Sequence, residues 1–186
     1  MLVADIRELV QRACHRSENA FGPSFFDQHL AVVAECATTL AARLGADLEV
    51  VELAGYLHDL SAVCDPTTMP DHPRLSADLA TQLLLERGYP EARVGCVARS
   101  IASHSDPLLI GSGPPEEVCI SNADAVSRIL RPAYRTYFAF GVRKFGFEEG
   151  RLWLRSLIER QWCKLIEPAK DLVGQQYATT LDLLAK

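Results

Sequence analysis

The amino-acid sequence predicts an all-α fold, a single compact domain of about eight or nine helices. Three observations predict it. Apolar residues recur at spacings of three and four along nearly the whole chain. Glycine and proline fall between these periodic stretches, at Gly22-Pro23, Gly45, Gly88, Pro115, Pro132, Gly146 and Pro168. No stretch alternates in the manner of a strand, and no glycine-rich phosphate loop or internal repeat is present. A length of 186 residues suits one domain with its own core.

Taken in order, Leu2 to about Ser17 forms a first amphipathic helix, with Ile6, Leu9, Val10 and Ala13 on one side. Pro23 or Ser24 opens the second, which carries Phe26, Leu30, Val33, Ala37, Leu40 and Leu44 and stops at Gly45. Asp47 caps the third, which ends at His58-Asp59. Ser61 to Asp71 contains Pro66 and Pro70 and is predicted to be a loop. His72-Pro73 opens the fourth helix, with proline at its first turn, and Gly88 closes it. Pro90 or Glu91 starts the fifth, which leads to His104, and Asp106 to Pro115 is a second loop. Pro115-Glu116-Glu117 opens the next helix, which Pro132 breaks or kinks. Further helices fill 133–145, 147–167 and 169–185. Trp153, Trp162 and Tyr177 sit there among Leu and Ile and are expected in the core, with a homodimer contact or a lid as alternatives.

Composition narrows the function. The chain is 48% hydrophobic and 23% charged, with a net charge of −5, which argues against a partner that is a nucleic-acid polymer. No apolar run approaches a membrane span, and charge follows Met1 too early for a signal peptide, so a cytoplasmic location is expected. The six cysteines are at least 22 residues apart, which excludes CxxC metal spacing and leaves reduced, buried thiols as the expectation. Charge is uneven. Residues 1–124 hold 8 Lys/Arg against 18 Asp/Glu, and residues 125–170 hold 10 against 4. A basic part beside an acidic one suits an anionic substrate held against a metal site.

Of five histidines, His15 lies in a polar patch and is expected at the surface. The other four sit at helix ends or edges: His29 in the second helix, His58 ending the third, His72 opening the fourth and His104 ending the fifth. Adjacent residues on a helix point about 100 degrees apart, so His58 and Asp59 share one site only near a helix end or facing a shared cleft. Asp124 is an acid flanked by apolar residues, costly to bury without a cation or donor.

The order His29, His58-Asp59, Asp124, with Leu53-Ala54-Gly55-Tyr56-Leu57 leading into the pair, resembles the HD superfamily of metal-dependent phosphohydrolases. His72, then Ile101-Ala102-Ser103-His104, is similar to the subset that binds two metals. The resemblance covers roughly residues 25–130, and the C-terminal helices of 133–186 are expected to pack on that core within one domain. It implies that His29, His58, Asp59 and Asp124 hold a first metal, and that Asp59 bridges to a second held by His72 and His104. One or two divalent transition metals are then implied, with Fe, Mn, Zn, Co and Ni all compatible with these donors. A metal-activated water would attack a nucleotide or another small phosphate ester, with His58 and Asp59 at the catalytic centre. Arg128, four residues after Asp124, is the first candidate for holding the substrate, with Arg131, Arg135, Arg74 and Arg99 behind it. Many relatives have Gly and Lys soon after the pair, where this chain has Leu60-Ser61-Ala62-Val63, and the extra motif of the cyclic-dinucleotide branch is absent. The same superfamily includes two-iron oxygenases, and a metal-binding signalling module without catalysis is a third alternative.

Overall fold

The computed structural model describes residues 2–106 and 111–185, and ten α-helices lie among them. In chain order they are α1 (Leu2–Cys14), α2 (Ala31–Leu44), α3 (Leu48–Leu57), α4 (Leu60–Cys64), α5 (His72–Glu86), α6 (Glu91–Ser103), α7 (Pro115–Leu130), α8 (Pro132–Tyr137), α9 (Phe147–Lys164) and α10 (Glu167–Leu183). No strand occurs among the described residues. No helix among them is long and apolar enough to cross a membrane.

Helix α7 is the axis of the packing. It meets α2, α3, α6, α9 and α10, and Val118, Ile120, Ala123, Val126 and Ile129 are buried along it. Each fully buried Val or Ile side chain of this kind contributes roughly 1.5–3 kcal/mol. The C-terminal helices join the same core: Ile158, Leu165, Ala169 and Val173 belong to it. The Ile166 N–H donates to Asn122 Oδ1 at 2.9 Å and fastens the start of α10 to α7. Trp162 and Tyr177 stack with centroids 4.2 Å apart and pack against this core, whereas Trp153 lines a cavity.

Helices α2 and α3 approach closely because Gly55 has no side chain. A Cβ there would lie 2.6 Å from Ala34 Cα. Gly45 ends α2 in the left-handed region at φ 71°, and Asp47 caps α3 by accepting from the Glu49 and Val50 N–H groups.

The structure changes several expectations. A π-helical turn over Phe26–Leu30 precedes α2 and buries Phe26, His29 and Leu30 together. The predicted loop from Ser61 to Asp71 is instead α4 followed by a 3-10 turn, Pro66–Asp71. Ser61 explains the difference: its N–H donates to Ser76 Oγ at 3.1 Å and its Oγ–H to His72 O at 3.3 Å, so α4 is tied to the start of α5. Residues 107–110 of the predicted loop from Asp106 to Pro115 lie outside the described residues. Among the thiols, Cys14, Cys36 and Cys119 are buried, and burial pushes each up to about 12, but Cys64 and Cys163 are exposed. His15 is exposed.

Candidate metal centre

His29, His58, Asp59, His72, His104 and Asp124 meet in one buried cluster, none of them more than 9% exposed. The chain brings them there from five places. His29 comes from the π-helical turn, His72 from the first position of α5, His104 from the end of α6 and Asp124 from the middle of α7. His58 and Asp59 fall between α3, which stops at Leu57, and α4, which starts at Leu60. That interruption turns two adjacent side chains into one space.

Asp59 stands at the middle. Its Oδ2 is 3.3 Å from His29 Nε2 and 3.4 Å from His58 Nε2. Its Oδ1 is 3.2 Å from His72 Nε2 and 3.8 Å from His104 Nε2. His29 and His58 face each other Nε2 to Nε2 at 3.2 Å, as do His72 and His104, also at 3.2 Å. Asp124 Oδ1 joins the first pair, 3.4 Å from His29 Nε2. Two candidate ligand sets result, His29/His58/Asp59 and Asp59/His72/His104. Donors about 2.0–2.2 Å from one metal stand roughly 3.0–3.5 Å apart, and nearly all these separations fall in that range.

The far sides of the rings fix the tautomers. His58 Nδ1–H donates to Gly55 O at 2.8 Å, His72 Nδ1–H to Met69 O at 2.8 Å and His104 Nδ1–H to Ile101 O at 2.6 Å. Each ring in its neutral form therefore aims the Nε2 lone pair inward. Lone pairs and carboxylates converging without a donor repel one another. Asp59 Oδ1 is correspondingly a buried oxygen with no hydrogen-bond donor among the described residues, although His72 Nε2 is close. This orphaned oxygen and the convergent lone pairs fit a cation.

Electrostatics agree. Burial opposes charge on His58 and His72, but Asp59 and the backbone carbonyls outweigh it and hold both imidazoles above their ordinary value. Burial pushes His29 down to about 3 and His104 down to about 4. Burial would raise both carboxyls, yet His58 beside Asp59 and Arg128 beside Asp124 hold them well below the usual range.

A cavity of about 120 Å³ opens beside His29 and Asp59. Arg128 and Arg135 line it, together with Phe25, Tyr134, Phe138 and Trp153. Arg128 Nε also donates to Asp124 Oδ1 at 3.0 Å. Three arginines considered from the sequence stand elsewhere. Arg74 is on the outer face of α5, held by Asp71 and Asp78. Arg99 is exposed on α6 and faces Glu117 at 3.9 Å. Arg131 is exposed because the helix breaks at it, with φ −116° and ψ 61°, the residue before Pro132 being unsuited to helix. Ser127 was not anticipated: its Oγ is 2.8 Å from His29 Nδ1, and its place one turn after Asp124 was the available signal.

The HD domain family matches residues 26–129. Two curated proteins named ribonuclease Y are similar to this chain. The one from Enterococcus faecalis is 32% identical over 121 residues, 65% of this chain and 21% of that protein. The one from Cutibacterium acnes is 31% identical over 130 residues, 69% of this chain and 22% of that protein. The chain thus spans about a fifth of the length of these relatives. Among solved structures, YpgQ of Bacillus subtilis in complex with ADP superposes with a TM-score of 0.75 at 21% identity, covering 98% of this chain and 94% of that one. A predicted HD superfamily hydrolase from an uncultured Thermotogales bacterium has a TM-score of 0.65 at 20% identity, covering 98% of this chain and 88% of the other.

Proposed function

The chain belongs to the HD domain family, and from that membership we propose a metal-dependent phosphohydrolase acting on a nucleotide or another small phosphate ester. His29, His58, Asp59 and Asp124 would hold one divalent metal, and His72 and His104, with Asp59, would hold a second. One observation carries the reading: the two oxygens of Asp59 face different histidine pairs, so a single carboxylate serves two ligand sets. When bound, the metals supply a water of lowered pKa and a Lewis-acid contact for phosphoryl oxygens.

The protein's own groups do the rest. The three carbonyl-anchored imidazoles need no rotation to present their lone pairs, so the cluster is ordered beforehand. Arg128 positions Asp124 through its Nε. Arg128 and Arg135 give the cavity a positive wall, which favours an anionic substrate. The ribonuclease names of the curated relatives support attack at phosphorus, and the ADP held by YpgQ supports a nucleotide.

The test is metal analysis of protein purified without added metal, followed by a panel of phosphate mono- and diesters. About two metals per chain and phosphate release from part of the panel are expected. Fully loaded protein that hydrolyses nothing on a broad panel overturns the proposal. Iron together with dioxygen-dependent turnover of an organic substrate would replace it with the oxygenase.

A further inference from the structure

Arg135 is a buried cation with no carboxylate partner among the described residues. It sits on α8, is 8% exposed, and its Nε has no hydrogen-bond acceptor among them. Among the described residues no carboxylate lies in ion-pair range of it, whereas its neighbour Arg128 is committed to Asp124 at 3.0 Å. Arg135 Nη2 is 3.1 Å from His29 Nδ1, but that nitrogen has another commitment. Ser127 Oγ–H donates to Asp124 O at 2.8 Å, so its oxygen is left to accept from His29 Nδ1–H, also at 2.8 Å. The tautomer that turns the His29 Nε2 lone pair into the cluster therefore offers Arg135 no acceptor. A buried, unpaired guanidinium is costly, and Arg135 lines the cavity.

The wall around this cation is apolar and aromatic. Tyr134 lies under the guanidinium, with the Arg135 carbon 5.4 Å from the ring centroid. Phe25 stands 6.1 Å from Tyr134, and Phe138 stands 6.3 Å from Trp153 across the same cavity. Tyr134, Arg135, Phe138 and Trp153 all lie beyond residue 129, where the family match ends. The cation and most of the aromatic surface thus belong to the part of the chain outside the family's shared segment.

We propose that Arg135 is the anion anchor of the substrate, and that the substrate is a phosphate ester bearing an aromatic ring, which packs on Phe25, Tyr134, Phe138 and Trp153. A nucleoside phosphate is one member of that class. A small apolar-walled cavity with one unpaired fork of donors suits a compact molecule, anionic at one end and flat at the other. The proposal rests on the phosphohydrolase reading for its location, and its test separates the two.

Metal-loaded protein is titrated by calorimetry with benzylphosphonate, methylphosphonate and inorganic phosphate, of which the two phosphonates have C–P bonds that resist hydrolysis. Benzylphosphonate is expected to bind about tenfold more tightly than methylphosphonate. Arg135→Gln should weaken all three by about 10–100-fold with metal content unchanged, and Arg135→Lys should restore part of the loss. Trp153→Leu should remove the preference for the ring and leave inorganic phosphate binding as it was. Wild-type affinities in metal-loaded Arg135→Gln, or equal binding of the two phosphonates, overturn the proposal. If Arg135→Gln does not fold, unchanged affinities in both Arg135→Lys and Trp153→Leu do so. Binding that depends on Arg135, with no ester on the panel hydrolysed, leaves the anchor standing and removes the phosphohydrolase.

Discussion

The histidine–aspartate cluster and the cavity beside it share His29 and Asp59 but are built from different parts of the chain. All six side chains of the cluster come from residues 29–124, inside the segment that matches the HD domain. The cavity takes Arg135, Tyr134, Phe138 and Trp153 from beyond it. In the cluster each position is a donor type, imidazole or carboxylate, and all but Asp59 have a second hydrogen bond that sets their orientation. In the wall, the arginines apart, each position is an apolar surface whose shape matters more than any donor atom. The difference separates what the chemistry needs from what a particular substrate needs. Changes in the cluster should abolish function whatever the substrate, while changes in the wall should alter which substrate is taken.

The largest effect is expected at Asp59, where the two ligand sets meet. Asp59→Ala should remove both metals and lower turnover about a thousandfold or more. Elemental analysis and a turnover assay on the same sample measure both. A variant that kept one tightly held metal and most of its activity would show that the two histidine pairs act independently.

A smaller effect divides the cluster. His104→Ala leaves His29, His58, Asp59 and Asp124 in place and should cost one metal of two, with activity down by about 10–100-fold. Loss of both metals would mean that the second set props up the first. Trp153→Leu supplies the contrast, since it should leave metal content unchanged.

The same contrast explains what the sequence disclosed. The cluster is legible because its residue types are rare in helix interiors and recur at helix ends in a recognisable order. His58 and Asp59 needed a helix end or a shared cleft, and α3 stops one residue before them. The wall is not legible in that way. Trp153 and Phe138 have the same apolar character as core residues, and only the packing of α9 against the π-helical turn Phe138–Val142 that follows α8 places them on the cavity His29 lines. Arg131 shows the same limit. Spacing from Asp124 puts it near the site, but Pro132 ends the helix and leaves Arg131 exposed, while Arg135 reaches the cavity from the next helix. The proline pair Pro66 and Pro70 pointed to a loop; instead Asp65 caps a 3-10 turn over Pro66–Asp71, and the hydrogen bonds of Ser61 to Ser76 and His72 tie α4 to α5.

Packing beneath the cluster gives a third prediction. Gly55→Ala places a methyl group against Ala34 backbone atoms, which cannot move as a side-chain end would. A loss of about 1–3 kcal/mol in unfolding free energy is expected. Because Gly55 O also accepts from His58 Nδ1–H, metal affinity should fall with stability. A destabilised variant that binds metal normally would show that α3 can shift without moving His58.

The smallest effect is at the opposite end of α3. Asp47 caps the helix through Oδ1, which accepts from the Glu49 and Val50 N–H groups, and it pairs with Arg93 on α6. The pair is about a third exposed or more on both sides, so solvent screens it and the cap is the larger contribution. Asp47→Ala should lower unfolding free energy by about 1 kcal/mol, measured by denaturant titration of the metal-loaded protein. Metal content and turnover should not change, because α3 spans Leu48–Leu57 and its far end is held by the Gly55 contact with Ala34. A fall in metal content would locate the control of His58 along the whole helix instead of at its last turn, and would extend the cluster's demands on the sequence to a residue that makes no contact with it.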